Sequence, residues 1–233
     1  MKYKLPRQVL SSEFRKIISR EMHKQKMSVA RATSKELKEL ADVSKCIAKR
    51  GSPPYFVCKE LGRNLGQGIF LHPDAKPFEK GRVIASYAGV VSFIRKNVPD
   101  DGSYAFTPVE DIRLSKQEQL YFDKDSCFRP KRLYSFKVDA IKKGNFTRFI
   151  NHSEKPNVIA YSLVVPSNRY GLVPTPIEII YIAKKTILPG EQLLVCYEEG
   201  EKCYWGARAG GIKPFPMTPK TFRLTKKGLL FSD

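Results

Sequence analysis

The sequence is poor in the residues that build metal centres and disulfide frameworks. Its 233 residues include only five cysteines and three histidines. The cysteines are scattered and form no C-x-x-C pair: Cys46, Cys58, Cys127, Cys196 and Cys203. An odd number at such spacings argues against both a disulfide-stapled domain and a zinc module. We therefore expect no metal site and a reducing compartment, either the cytoplasm or the nucleoid.

Long apolar stretches are also missing from the sequence. The longest nearly uncharged apolar run covers residues 83–94, well short of the about 20 residues that a membrane-spanning helix needs. The first 14 residues lack the hydrophobic core of a secretory signal peptide. We expect a protein that is not associated with a membrane.

Acidic residues are scarce relative to basic ones. There are 42 Lys and Arg against 23 Asp and Glu, a formal net charge of +19. The excess lies at the two ends, because residues 1–50 carry 14 basic and 5 acidic side chains and residues 206–233 carry 6 and 1. Basic segments bind polyanions through counterion release, which predicts nucleic acid, or a complex containing it, as a neighbour. The alternative is an ordinary solvated surface.

Two amphipathic helices are predicted before residue 51. Apolar side chains recur at helical spacing in both, as Leu10, Phe14, Ile17, Ile18 and Met22 in the first and as Leu37, Leu40, Val43 and Ile47 in the second. Ser11 and Ser12 can cap the first helix, and Thr33 with Glu36 forms a capping box for the second. The sequence Gly-Ser-Pro-Pro at residues 51–54 ends the helical pattern. The apolar faces must pack either on the rest of the chain or on a second copy, which leaves a homodimer open.

From residue 55 the pattern changes to short β-branched and aromatic runs separated by turn residues. It predicts strands at residues 82–91, 132–140, 157–165, 177–184 and 191–198, with one short helix at residues 115–122. Long helices do not alternate with these strands, which excludes a doubly wound parallel sheet. The expected fold is mainly β, with an α-helical N-terminal extension.

A short glycine motif, Gly66-Gln67-Gly68, opens the β-rich region. Taken alone, it predicts a tight turn that exploits the conformational freedom of glycine. It lacks the third glycine and the following helix of a dinucleotide-binding fingerprint, which disfavours NAD.

The informative stretch is residues 138–153, which end in the sequence RFINHS and are followed by Pro156 and Asn157. This stretch resembles the central signature of SET-domain protein lysine methyltransferases. Other motifs of that family follow the expected order. The glycine motif at residues 66–68 is similar to its first cofactor-binding turn, Tyr87-Ala88-Gly89 to its Y-x-G element, and GEQLLVCY at residues 190–197 to its G-E-E-L-x-x-x-Y segment. The resemblance covers residues 55–205, about two-thirds of the chain.

The resemblance implies a β-clip SET fold, in which the RFINHS segment and the segment ending at Tyr197 thread into a pseudoknot. It implies an enzyme that transfers methyl groups from S-adenosyl-L-methionine to protein lysines. In the catalytic site Tyr197 would orient the amine, and Tyr87 would wall the lysine channel. The cofactor-binding residues implied in the same way are Gly66, Gln67, Gly68, Arg148, Asn151 and His152. Tyr161 either reaches the channel or packs in the core.

The sequence also departs from the family pattern. Glu154 replaces the cysteine that commonly follows RFINHS, and the tail has no C-x-C cluster, so the zinc-bearing closing module of many members is missing. An aromatic residue such as Trp205 would then close the cofactor site, or else it packs in the core. Cys196 stands beside Tyr197 where an acid is frequent, and Val90 follows Gly89 where a glutamate is usual.

The chain resembles compact stand-alone bacterial SET proteins, which implies a histone or histone H1-like basic protein as substrate. Because two basic proteins repel each other, DNA is expected as a common scaffold, and export to a host nucleus is a further expectation. We divide the chain into a basic helical extension (1–52), a SET catalytic domain (53–205) and a basic tail that closes the site (206–233). Two alternatives stay open: a catalytically weak SET-like binding module, and a nucleic-acid-binding protein that works through its flanks.

Overall fold

The computed structural model describes residues 12–25, 30–62, 66–96, 104–122, 128–164, 178–197, 223–225 and 228–230. The α-helices are α1 (Ser12–Lys24), α2 (Ser34–Arg50) and α3 (Lys116–Phe122), and a 3₁₀ turn covers Phe146–Phe149. The strands of the N-terminal half are β1 (Ala30–Arg31), β2 (Phe56–Glu60), β3 (Gln67–Leu71), β4 (Val83–Ser86), β5 (Val90–Arg95) and β6 (Ala105–Ile112). The later strands are β7 (Tyr134–Asp139), β8 (Asn151–His152), β9 (Val158–Val164), β10 (Glu178–Ala183), β11 (Leu194–Val195), β12 (Arg223–Thr225) and β13 (Gly228–Leu230).

Several small sheets make up the β region. The largest has the strand order β4-β10-β9-β11-β8, and β1 adds to the free edge of β9. Strands β5, β7 and β6 form an antiparallel three-stranded sheet, while β2 pairs with β3 and β12 with β13. The mainly β fold with a helical N-terminal extension is therefore confirmed.

The second helix begins and ends as its sequence predicts. The side chain of Thr33 accepts a hydrogen bond from the Glu36 amide, and the Glu36 carboxylate accepts one from the Thr33 amide at 2.7 Å. Gly51 adopts the left-handed conformation, with φ of 87°, and its N–H donates to the Ile47 carbonyl. A Cβ atom is disfavoured in that conformation, which is why glycine ends the helix here.

Both N-terminal helices pack on the β region of the same chain. Ile17, Ile18 and Ile47 belong to the main apolar core, and Leu40 belongs to a second cluster against strands β4 and β10. Of the two alternatives left open for these apolar faces, the structure shows intramolecular packing. The apolar faces of these helices therefore do not support a homodimer, which stays a prediction.

Two strand predictions need correction, and several strands were missed. The segment at residues 82–91 is not one strand, because the chain leaves the large sheet after β4 and enters the three-stranded sheet at β5. At Gly89 an added Cβ would lie 2.6 Å from the Asp139 carbonyl, so the crossing requires glycine. The segment at residues 191–198 pairs as a strand only over β11. Strands β1, β2, β3, β6, β8, β12 and β13 were not predicted. The predicted helix at residues 115–122 is confirmed as α3.

None of the helices in the described ranges is long and apolar enough to cross a membrane.

Candidate active site

The chain segment of residues 190–195 lies between two parts of the fold that are distant in sequence. On one side the Leu193 N–H donates to the Ile69 carbonyl at 2.7 Å, which ties the segment to β3. On the other side β11 runs parallel to β8, with Leu194 opposite Asn151 and Val195 opposite His152. The two motifs that were predicted to meet, RFINHS and the segment ending at Tyr197, are therefore direct neighbours.

Asn157 fixes this arrangement from within. Its side-chain carbonyl accepts from the Leu194 N–H at 2.8 Å, and its amide nitrogen donates to the Gln192 carbonyl at 2.8 Å. The residue is buried, so an apolar replacement would leave backbone groups without partners in a place that water does not reach.

The Gly66–Gly68 motif was predicted to be a tight turn, but Gln67 and Gly68 already belong to strand β3 and pair with β2. The motif, still called the glycine turn below, is held against β8. The Asn151 side-chain amide donates to the Gln67 carbonyl at 2.9 Å, and Gly66 has a φ of 64°, in the left-handed region. A Cβ added to Gly68 would lie 2.6 Å from the Gln192 side-chain nitrogen and 3.3 Å from that of Asn151. The turn thus brings bare backbone close to two side-chain amides.

The Gln192 side-chain nitrogen is buried and has no hydrogen-bond partner in the described part of the chain. An unsatisfied buried donor costs about 1–3 kcal/mol. Together with the bare backbone of the glycine turn, it makes this corner suited to a polar ligand, which fits the cofactor that the motifs imply.

Tyr197 is anchored on the residues next to this corner. Its hydroxyl donates to the Ile150 carbonyl at 2.6 Å, and its backbone N–H donates to Nδ1 of His152 at 3.0 Å. Ile150 and Asn151 are consecutive, so the phenol and the glycine turn are held by adjacent residues. Because Nδ1 of His152 accepts this hydrogen bond, the histidine has a structural role in holding Tyr197. Its contact with a cofactor stays a prediction.

Tyr87 reaches the same region from the segment between β4 and β5. Its hydroxyl donates to the Tyr104 carbonyl at 2.6 Å. Its ring packs edge-on against Phe106, at 4.7 Å between centroids, and against Tyr181, at 6.1 Å. Tyr87 therefore stands among aromatic rings, as expected of a wall around an apolar chain.

Tyr181, on β10, is the site residue that sequence reasoning missed. It is fully buried and contacts the rings of both Tyr87 and Phe106. Nearly every side chain of β10 is buried, so alternation along the strand gave no signal. Its place in the site follows only from the fold, in which Tyr181 lies on β10 opposite Ala160 of β9. Tyr161, which was weighed for this place, has 44% of its surface exposed and takes neither of its predicted roles.

Tyr87, Tyr181 and Tyr197 form a phenol cluster. Burial raises the pKa of Tyr87 and that of Tyr181, and the nearby phenol of Tyr197 raises both further. Tyr87 and Tyr181 are therefore protonated throughout the physiological range. The hydroxyl hydrogens of Tyr87 and Tyr197 are used in hydrogen bonds to backbone carbonyls, so toward any further group these two oxygens can act only as acceptors.

Arg148 lies on the Tyr87 side of the site. Its guanidinium donates to the Ala140 carbonyl at 2.8 Å and stacks over the rings of Tyr104, at 5.0 Å, and Phe149, at 4.8 Å. It thereby braces the residue whose carbonyl anchors Tyr87. Its predicted support of the cofactor stays a prediction.

Trp205 and nearly all of the tail from residue 206 lie outside the described residues, apart from the β12–β13 hairpin. Among the residues that are described, no group of three His, Cys, Asp or Glu side chains could hold a metal ion.

Comparisons with known proteins add the family. The family model of the SET domain matches residues 68–198. A histone-lysine N-methyltransferase of Schizosaccharomyces pombe, described as specific for lysine 4 of H3, is 43% identical over 75 residues, which are 30% of this chain and 7% of that protein. The chain thus spans only a small part of this curated relative.

Among solved structures, ATXR5 in complex with a histone H3.1 mono-methylated on R26 is 18% identical, with a TM-score of 0.49, over 74% of this chain and 71% of that one. The methyltransferase domain of human SETMAR is 21% identical, with a TM-score of 0.39, over 61% of this chain and 44% of that one. The family model itself spans more than half of the chain and includes Gly68, RFINHS and Tyr197. The chain therefore belongs to the SET domain family.

Proposed function

We propose that this protein is an S-adenosylmethionine-dependent protein-lysine N-methyltransferase. The observation that carries the proposal is the meeting of the phenol cluster with the glycine turn. The Tyr197 hydroxyl donates to the Ile150 carbonyl, and the Asn151 side chain donates to the Gln67 carbonyl of the glycine turn. The residues that anchor the Tyr197 phenol and the glycine turn are therefore consecutive in the chain.

The residues that would hold the cofactor are the Gly66–Gly68 backbone, Asn151 and the backbone of His152. When bound, S-adenosylmethionine supplies a methyl group on a positively charged sulfur, which a neutral amine attacks in line. The close approach at Gly68 and the unsatisfied nitrogen of Gln192 support this assignment. Trp205 would cover the cofactor from the tail.

The main task left to the protein is to position and deprotonate the lysine. A lysine with a pKa of about 10.4 is neutral in only roughly one molecule in a thousand near neutral pH. The aromatic surroundings of Tyr87, Phe106 and Tyr181 favour the neutral amine, because burial disfavours the ammonium form. Entry of the side chain into this region would therefore lower the pKa of its amine.

The phenols then aim the amine. The hydroxyls of Tyr197 and Tyr87 each donate a hydrogen bond to a backbone carbonyl. Each oxygen can therefore accept a hydrogen bond from an N–H of the substrate. A hydrogen bond from the amine to a fixed oxygen directs its lone pair, and such positioning is a large part of the catalysis of methyl transfer. Burial keeps Tyr87 and Tyr181 protonated, so these two phenols cannot serve as bases. The proton therefore leaves the amine to solvent before the amine is enclosed.

For the substrate we propose a histone or a histone-like basic protein. The curated relative is described as acting on histone H3, and lysine-rich tails supply many candidate amines. The exact protein and the target lysine are part of the same proposal and need a direct measurement.

The test is mass spectrometry of histone and histone H1-type proteins after incubation with the enzyme and S-adenosylmethionine. We expect lysine residues to gain about 14 Da for each methyl group added. Tyr197→Phe removes the phenol oxygen and should lower the rate by about 100-fold or more, a loss typical of one well-placed polar group.

Tyr161→Phe is the matched control, because this phenol is exposed on β9, and it should retain the wild-type rate. Full activity of Tyr197→Phe would remove that phenol from its role, and absence of methylation on every basic protein tested would refute the proposed activity.

A catalytically weak SET-like module is the second candidate. Cys196 in place of the acid frequent beside the tyrosine, and Val90, which is 42% exposed, in place of the usual glutamate favour it. Calorimetric binding of S-adenosylmethionine without turnover on any basic protein would select this candidate over the enzyme.

A further inference from the structure

Helix α2 carries a row of lysines on the face opposite its buried side. Lys35, Lys38, Lys45 and Lys49 are all exposed. At about 100° per residue they fall within an arc of roughly 80°, and at 1.5 Å per residue they span about 21 Å. We call these four residues the lysine face.

The acids of the N-terminal helices are mostly turned away from this face. The Glu36 carboxylate accepts from the Thr33 N–H at 2.7 Å, and that of Glu39 accepts from the Val83 N–H at 2.8 Å. On α1, Glu21 is buried against Arg20 at 3.0 Å. Three of the five acids in residues 1–50 are thus occupied by contacts inside the protein.

Asp42 is the one carboxylate within the lysine face. It lies 3.6 Å from the Lys45 nitrogen, and both side chains are largely exposed. A pair of this kind contributes roughly 0–1 kcal/mol and exchanges readily for another anion. The outward potential of α2 is therefore set by its lysines, because four of the five basic side chains of this helix lie on the lysine face.

The composition of the face argues for a phosphate backbone rather than a protein surface. Protein interfaces depend on buried aromatic and aliphatic anchors. Among the described side chains, the large hydrophobic residues that are exposed lie outside α1 and α2. Lysine is a flexible point charge without the planar fork of arginine, which suits contacts to phosphates that carry no sequence information.

We propose that the lysine face of α2 binds the phosphate backbone of double-stranded DNA without regard to sequence. Along the duplex axis each strand carries one phosphate per about 3.4 Å, so a row of about 21 Å is long enough to contact several phosphates. This contact would hold the protein on DNA through its N-terminal extension, independently of the phenol cluster and of any cofactor.

The test compares two variants of the full-length protein with equal loss of charge. The first changes Lys35, Lys38, Lys45 and Lys49 to Gln. The second changes four exposed lysines elsewhere to Gln: Lys76, Lys80, Lys142 and Lys143. Glutamine and lysine have similar helix propensities, so α2 should stay folded, which circular dichroism and the melting temperature would verify.

Binding is measured by fluorescence anisotropy with a short labelled duplex of mixed sequence, between about 50 and 200 mM salt. We expect the first variant to bind about 100-fold more weakly or worse, and the slope of log K against log salt to fall in magnitude by about 3 to 4. The second variant should stay within about threefold of the wild type.

Equal weakening in both variants would mean that only net charge matters, and wild-type affinity in the first variant would place the contact on other residues. Either result overturns the proposal. Polyglutamate provides a further arm, because loss of its binding alone, with duplex binding intact, would assign the face to an acidic protein. No turnover is measured, so failure here is distinct from failure of the methyltransferase proposal.

Discussion

At the level of single residues, two glycines of the same turn make different demands. An added Cβ at Gly68 would meet the Gln192 nitrogen at 2.6 Å and Leu61 Cδ1 at 3.0 Å, whereas at Gly66 it would meet nothing within 4 Å. Gly66 instead has a positive φ of 64°, which costs an alanine roughly 1–2 kcal/mol.

We expect Gly68→Ala to weaken the binding of S-adenosylhomocysteine by about tenfold or more, an energy of about 1.4 kcal/mol, because it displaces the two side-chain amides at the turn. Gly66→Ala should mainly lower the free energy of unfolding. Calorimetry of binding and urea denaturation separate the two effects. Equal losses of affinity in both variants would argue that backbone strain, rather than the packing at Gly68, controls the turn.

At the level of elements, α1 is clamped to α3 by one arginine. Arg20 donates to both carboxylate oxygens of Glu118, at 2.8 and 3.3 Å, and to the Arg113 carbonyl at 3.1 Å. Burial alone would raise the pKa of Glu118, but hydrogen bonds from Arg20 and Ser115 hold it below its usual value. The clamp is therefore complete above the usual glutamate pKa and is lost as the pH falls through the lowered one.

Arg20→Ala should lower the free energy of unfolding at pH 7 by about 1 kcal/mol or more, because it breaks the partly exposed pair with Glu118 and also removes a partner of the buried Glu21 carboxylate. The loss should shrink at a lower pH, below the depressed pKa of Glu118, where this carboxyl group is protonated. Arg20→Lys keeps the charge without the fork and should recover only part of the stability. Urea denaturation at the two pH values measures this, and a loss independent of pH would count against the ion pair as its source.

Strand β10 begins with a carboxyl group in an unfavourable place. Burial raises the pKa of Glu178 to about 7, against about 4.3 in an unfolded chain. Between these values the folded state holds a proton that the unfolded state has lost, so stability falls as the pH rises through this window.

Glu178→Gln cannot ionise, so the variant should be more stable than the wild type at pH 8, by about 1–3 kcal/mol, and close to it at pH 4. Thermal melts across this pH range test the expectation. A stability difference that does not change with pH would show that the carboxyl is solvated in the folded protein.

On the scale of the whole molecule, the N-terminal extension is part of the core. Ile17, Ile18 and Ile47 pack in the main cluster, and Leu40 has none of its surface exposed. A chain that starts at residue 51 would expose the partners of all four side chains.

We expect this truncation to lose its cooperative melting transition and to bind hydrophobic dyes. Leu40→Ala is the milder probe and should cost about 2–5 kcal/mol. An exposed leucine on the same protein, Leu188, should tolerate alanine within about 0.5 kcal/mol. A truncated chain that melts like the full one would make the extension a separate unit.

Much of this architecture was predictable because its causes are local. The capping box of Thr33 and Glu36 and the glycine that ends α2 act over a few residues, so their pattern fixes the helix. The meeting of RFINHS with Tyr197 was predictable only through resemblance, since no periodicity joins segments more than 40 residues apart.

By itself the sequence determined the helices, the strands β7, β9 and β10, the family motifs and the excess of positive charge at the ends, since each of these is written in residue types and short spacings. Only the tertiary structure decided where the chain leaves one sheet for another at Gly89, which tyrosine completes the phenol cluster, and which way the charges of α2 face. The reason is physical: close approach, cross-strand position and the pairing of carboxylates with distant N–H groups depend on contacts between residues that are far apart in the chain.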